Sequence, residues 1–360
     1  MAIAVVVTVG LAGAGTYVYL TNLFGGTTLV VYTYPSLLGG ADCGNASAFR
    51  TVFGEFADAH HVRVVVECPP GTLYSSLLRQ RNAPVADLVI GLDEITAPQA
   101  EAAHLLVPYA PPRLADVPSY LVAQLSPDHG VVPYEYGYLA IDYNYSFYNL
   151  TRGAVAHASL SEFVNNSSWA RSLVVENPTL DITGEEFLLW QIEFYTHVLH
   201  ENWTGFWTRA GVGLPHVAPD WGTAFQEFSN NTYPLAVSYS TDPAYAAFYH
   251  LARSFNATGS WHDGLQYSWR TIYGIGIVNG SRHLSLDEQF VNWFLSGTVQ
   301  SLLPTNEWEY PANQTVGVPS AYFDSAIPPT ELVALNNLTT PSAVDASLPG
   351  WLTAWSSLTS

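Results

Sequence analysis

The sequence predicts an α/β protein of two units, each a sheet flanked by helices. Three observations carry this. Strand-like and helix-like segments alternate from residue 27 onward, the pattern of βαβ units and parallel pairing. The alternation resumes after a long aromatic strand region, 131–144, that has no helix before its second half and so suits a passage between units. The chain has 360 residues, 48% of them hydrophobic, enough for two cores.

Residues 27–34 (TTLVVYTY) are β-branched and aromatic and are stopped by Pro35. In 46–59, Phe49, Val52, Phe53 and Phe56 fall on one helical face. A buried-type strand, 62–67, precedes a helix at 72–81 with Leu73, Leu77 and Leu78 inward, and a strand at 86–91. A helix at 95–106 ends at Pro108, and 108–118 is Pro-rich and irregular. Beyond 131–144, helices are expected at 159–165, 184–200, 220–230 and 243–254, with strands at 172–176, 234–239 and 268–278. An amphipathic helix over 285–302 would turn Phe290, Trp293, Phe294, Val299 and Leu302 inward, and a last helix covers 341–358. The crossings between units fall near 132–136 and 266–272, both short enough for a hinge. The expected division is 1–26 as an N-terminal segment, 27–133 as the first unit, 134–267 as the second, and 268–360 as the return to the first with the C-terminal helices.

The net charge is −19, and all eleven basic residues are Arg. Such a chain repels a phosphate backbone, which excludes nucleic acid as its partner. The absence of Lys excludes Schiff-base and P-loop lysine chemistry. An acidic surface attracts cations.

Residues 2–20 carry no charge and are long enough to span a membrane, at the place of a signal peptide or signal anchor. No clear small-residue cleavage site follows, which favours the anchor. N-x-[ST] sequons stand at Asn45, Asn144, Asn149, Asn165, Asn166, Asn202, Asn230, Asn256, Asn279, Asn313 and Asn337, several times the chance number, and point to a glycosylated protein outside the cell. The two cysteines, Cys43 and Cys68, follow neighbouring predicted strands, and an oxidising compartment favours their pairing.

Enzyme signatures are missing: there is no G-x-S-x-G, H-E-x-x-H or C-x-x-C. Glu193, His197 and His200 share a helix face, but a solvated face explains them and no fourth metal ligand is nearby in sequence. What the chain does have is aromatic residues beside turn residues at strand ends: Tyr34, Tyr136, Tyr138, Trp221, Tyr239, Tyr245, Trp308 and Tyr310. Asp93, Glu135 and Asp181 accompany them. Ligands of α/β sheets bind at the carboxyl ends of strands. Aromatic faces with nearby carboxylates suit a planar organic cation.

At these residues the chain resembles the thiamine-binding subunits of ABC importers, a family of type II periplasmic-type solute-binding proteins. The resemblance runs from about 28 to 358. It rests on VVYTYPS (30–36), ADLVIGLDE (86–94), VVPYEYGYLAIDYN (131–144), VVENP (174–178) with FLLW (187–190), Trp221, LAVSYSTDPAY (235–245), LSLDEQFVNWFLSGTVQ (284–300) and LPTNEWEYP (303–311). It implies two lobes, each a mixed sheet flanked by helices, with a ligand cleft between them. It further implies a monomer without catalytic activity or cofactor that carries thiamine or its phosphates to a membrane permease. Trp221, Tyr239, Tyr245 and Trp308 would line the pocket, with Tyr34 from the first lobe. The Ser/Thr-rich turn that follows this ENP motif in the family is replaced here by 179–183 (TLDIT), so that Asp181 stands where a hydroxyl could meet phosphate. Unphosphorylated thiamine is therefore the expected ligand. The competing readings are a protein of the same fold for another organic cation, such as a polyamine, and an extracellular hydrolase using a carboxylate pair drawn from Asp93, Glu135 and Asp181.

Overall fold

A computed structural model describes residues 16–19, 26–39, 47–209, 214–251 and 255–359. Its strands are β1 (Thr16–Tyr19), β2 (Thr28–Tyr32), β3 (Arg63–Glu67), β4 (Leu88–Asp93), β5 (Leu106–Val107), β6 (Val131–Asn144), β7 (Leu173–Glu176), β8 (His216–Ala218), β9 (Leu235–Tyr239), β10 (Phe255–Thr258), β11 (Ser260–His262), β12 (Leu265–Ser268), β13 (Arg270–Val278), β14 (Tyr310–Pro311) and β15 (Leu332–Ala334). The chain divides into two compact units, one of Met1–Tyr136 with Ile272–Val318, the other of Gly137–Thr271 with Pro319–Ser360.

In the first unit β2 lies between β3 and β4, parallel to both, as the alternating segments of 27–91 predict. β13 then pairs antiparallel with β4, and β1 pairs antiparallel with β3, so the sheet is mixed. Phe49, Val52, Phe53 and Phe56 are buried as their helical spacing requires. Phe53 stacks on Phe290 at 5.8 Å and Phe56 meets the same ring edge-on at 4.8 Å, which binds the 284–294 helix to this core. Gly91 has φ +107°, and a Cβ there would lie 2.4 Å from the Tyr34 ring. Only glycine lets β4 run so close beneath that tyrosine.

The second unit repeats the logic. β9 pairs antiparallel with the C-terminal half of β6 and parallel with β7, and β7 pairs parallel with β8. β10 adds to β6, and a separate small sheet joins β11, β12 and β15. Gly184 sits where a Cβ would come within 2.7 Å of the Glu176 carbonyl. The start of the Ile182–Glu193 helix thus packs directly on the end of β7.

The structure differs from the sequence reading in several places. The 285–302 helix ends at Phe294 and restarts at Gly297–Gln300, because Ser296 caps the second piece through Val299 N. The 243–254 helix stops at Phe248. The chain crosses once more than the two predicted passages: Pro319–Ser360 belongs to the second unit, not to the first. The cause is pairing between distant parts of the chain, since β15 pairs with β12 and Trp355 of the last helix meets Trp207 edge-on at 5.8 Å. The expected anchor or signal segment, 1–26, lies almost entirely outside the described residues; of it, Thr16–Tyr19 is seen as the strand beside β3. No helix among the described residues is long and apolar enough to cross a membrane.

Candidate functional site

In the second unit the carboxyl ends of β7 and β9 carry most of the chemistry. Trp221 opens the Trp221–Ser229 helix, capped by Asp220 through Thr223 N at 2.8 Å. Its ring stacks on Phe225 one turn later, with centroids 5.1 Å apart, and lies 6.2 Å from Tyr239 in an edge-on arrangement. Phe225 meets Tyr245 at 6.2 Å. Tyr239, Trp221, Phe225 and Tyr245 therefore form one partly exposed aromatic wall. The Tyr239 hydroxyl lies 3.1 Å from Thr183 Oγ1.

Asp181 is placed at the edge of this wall, and its geometry gives it a structural task. Oδ1 accepts the Thr183 and Gly184 N–H groups at 2.9 and 3.4 Å, capping the 182–193 helix. Oδ2 accepts the Trp221 N–H at 3.3 Å, at the start of a second helix. One carboxylate thus satisfies the positive ends of two helices, a place built for an anion. Burial raises its pKa, and the three backbone donors oppose that rise. Beneath it, Glu176 at the end of β7 is 1% exposed, and both carboxylate oxygens lack a hydrogen-bond partner. Burial, with Asp181 and Asp220 adding repulsion, holds Glu176 well above the usual carboxylate range.

In the first unit a second group surrounds Tyr34. Its hydroxyl lies within hydrogen-bond distance of Glu307 Oε2 at 3.0 Å, Glu135 Oε1 at 3.3 Å and the Tyr134 hydroxyl at 3.1 Å, with one proton to give among them. Burial pushes Glu135 up to about 8, against the Tyr134 and Tyr34 hydroxyls that favour its ionised form. Burial and then Glu135 itself push Glu307 well up. Tyr136 stacks on Tyr310 at 5.6 Å across the β6–β14 pair. Trp308 is partly buried with φ +61°. Asp93 is spent on its own helix start: Oδ1 accepts the Ile95 and Thr96 N–H groups at 2.9 and 2.8 Å.

The structure therefore brings Asp181, Trp221, Tyr239 and Tyr245 together in one unit, and Tyr34 with Glu135 and Tyr136 with Tyr310 in the other. Sequence reasoning missed Phe225, Tyr134, Glu176 and Glu307. Phe225 had a signal in its i+4 spacing from Trp221; Glu307 had one in lying beside Trp308. Cys68 is buried and not a free thiol, while Cys43 lies outside the described residues. Among the sequon asparagines, Asn144 and Asn313 are buried and hydrogen-bonded to neighbouring backbone, which leaves them inaccessible to a glycan. The Glu193–His197 pair closes as a 3.3 Å contact, and no group of metal-ligating residues is found among the described residues.

No protein-family profile matches the chain. Similar solved structures include a periplasmic thiamin binding protein (TM-score 0.74, 23% identity, 92% of this chain and 96% of that one). They also include iron-bound HitA from Pseudomonas aeruginosa (TM-score 0.70, 17% identity, 91% and 99%). The chain has the two-lobed fold of the periplasmic solute-binding proteins. Its curated relatives are thiamine-binding periplasmic proteins, the family that its motifs resemble. Those of Brucella suis and Salmonella typhimurium are 25% and 26% identical over 335 and 336 residues, covering 92% of this chain and 92% and 93% of theirs.

Proposed function

We propose that this protein captures thiamine outside the cytoplasm and delivers it to an ABC-transporter permease. The observation that carries the reading is the wall of Trp221, Tyr239, Phe225 and Tyr245 with carboxylates at its edge. A flat aromatic cation gains stacking and cation–π attraction there, on the order of 1–3 kcal/mol for the tryptophan alone. The relatives' names supply the identity of the cation. Asp181 and Asp93 are both committed to helix starts, which counts against their serving as a hydrolase's acid and base. Of the remaining expected ligand residues, Trp308 and the Tyr34, Glu135, Tyr136 and Tyr310 group are proposed contacts of the first unit. A Cys43–Cys68 disulfide, glycans on exposed sequons, an N-terminal membrane attachment and a monomeric state complete the proposal.

The test is a thermal-shift and calorimetric screen with thiamine, spermidine and ferric citrate as separate ligands. Thiamine at a hundred times its Kd should stabilise the protein by about 2.7 kcal/mol. Stabilisation by spermidine or iron without any by thiamine would overturn the assignment.

A further inference from the structure

The Trp221 indole does more than present a face. Its Nε1–H donates to Ser238 Oγ at 3.0 Å. Ser238 Oγ–H in turn donates to Asp242 Oδ2, and the same oxygen accepts the Tyr239 N–H at 3.1 Å. Behind it stands Asp142 on β6, opposite Ala236 of β9. Ser238 and Asp142 are fully buried and Asp242 is 6% exposed. Burial, and then Asp242, hold Asp142 well above the carboxylate range, and neither of its carboxyl oxygens has a hydrogen-bond partner. Asp242 Oδ2 therefore collects hydrogen bonds from Ser238 and Tyr239; burial raises the Asp242 pKa, and these two donors oppose the rise.

We propose that Ser238 and Asp242 are positioning residues that tune Trp221: the relay fixes the indole ring and feeds electron density into it, strengthening its attraction for a cation. An indole whose N–H donates into a chain ending at a carboxylate is polarised along that chain. The added negative charge falls on the ring face, the part of tryptophan that a cation meets. Tyr239 N shares the same acceptor, so one carboxylate sets both the indole's orientation and the strand end bearing the neighbouring ring. The consequence is a clamp that discriminates by charge through groups with no contact to the ligand. The inference rests on the proposed cation-binding role of Trp221.

The experiment compares thiamine with its neutral analogue in which the thiazolium is replaced by an uncharged thiophene. Calorimetry is run on the wild type, Ser238→Ala, Ser238→Thr and Asp242→Asn. Ser238→Ala should weaken thiamine about fivefold more than the neutral analogue, the scale of one lost hydrogen bond. Ser238→Thr, which keeps the hydroxyl, should restore the ratio. In 15N-tryptophan spectra the Trp221 indole proton, assigned by its loss in Trp221→Phe, should move upfield in Ser238→Ala. Equal losses for both ligands, or an unmoved indole signal, would overturn the relay. A wild type that binds neither ligand would overturn the thiamine reading instead, and the indole signal would still report whether the relay exists. Should Asp242→Asn fail to fold, the serine pair alone decides the matter.

Discussion

Asp181 allows a charge argument to be worked from geometry. Its carboxylate already fills the converging N–H groups of Thr183, Gly184 and Trp221. A phosphate ester reaching toward these helix starts would find its place taken by a like charge. At about 4 Å each pair of unit charges repels by roughly 1 kcal/mol in water and about 4 kcal/mol at an effective dielectric near 20. A monophosphate should therefore bind more weakly than thiamine by at least about fivefold. Asp181→Asn removes the charge and keeps one acceptor oxygen for the helix start at Thr183, because asparagine caps a helix as well as aspartate does, while its amide NH2 cannot accept from the Trp221 N–H. It should bring the two ligands close to parity with little change for thiamine. Asp181→Ser shortens the side chain, so the Trp221 N–H loses its acceptor and becomes free for phosphate; the preference should then narrow further or reverse. Trp221→Ala behaves differently, weakening both ligands by a similar factor, since stacking ignores the tail. Calorimetry on the wild type and these variants with thiamine and its monophosphate supplies the numbers. A wild type that prefers the monophosphate, with the ratio unmoved in Asp181→Asn, would refute the reasoning and remove Asp181 from the ligand's surroundings.

Glu135 binds its proton up to about pH 8 in the folded chain but only to about 4.5 when freed from burial. Between those values the folded state holds the extra proton, so stability falls as pH rises through this window. Glu135→Gln should flatten the fall, and denaturant midpoints at pH 5 and 8 measure it; a wild type equally stable at both would contradict the assignment. Gly91→Ala forces a Cβ into the Tyr34 ring at φ +107° and should cost about 2 kcal/mol or more, read as a lower melting temperature. If Cys43 and Cys68 are paired, a thiol reagent added to denatured, unreduced protein leaves no adduct, and reduction destabilises the fold by about 3 kcal/mol; two adducts would exclude the bond.

The parts of the fold legible in the sequence were those set by local periodicity. The Phe49–Phe56 face and the strands rich in β-branched residues bury themselves wherever the rest of the chain goes, so their pattern alone reveals them. Short strands lack that signal. β14 has two residues and β15 three, and each forms only because a longer partner strand offers it an edge. The return of 319–360 to the second unit follows from such pairing and from the Trp355–Trp207 contact, both between residues far apart in sequence. No window along the chain contains that information.

The candidate site could be drawn from the sequence in its rings and not in its hydrogen bonds, for a reason in the chemistry of the two groups. An aromatic residue beside a turn at a strand end stands out by type, since the interior is its ordinary home. A carboxylate at the same position reads as a ligand contact, a helix cap or a relay with equal ease. Asp93, Asp181 and Asp242 are all acids at helix starts, and only their partners distinguish them. Asp93 serves its own helix. Asp181 reaches across to a second helix at Trp221. Asp242 takes its partners from a neighbouring strand, through Ser238 and Tyr239. Asp181 therefore acts on Trp221 at its backbone N–H, and Asp242 acts through Ser238 at its indole nitrogen. Substituting both should reveal whether charge selection resides in either acid separately or in the ring they jointly hold. Since Asp181→Asn alone should leave thiamine affinity nearly unchanged, independent action requires that Asp181→Asn with Ser238→Ala lose no more thiamine affinity than Ser238→Ala alone. A departure from that additivity would mean that both work through the placement of Trp221.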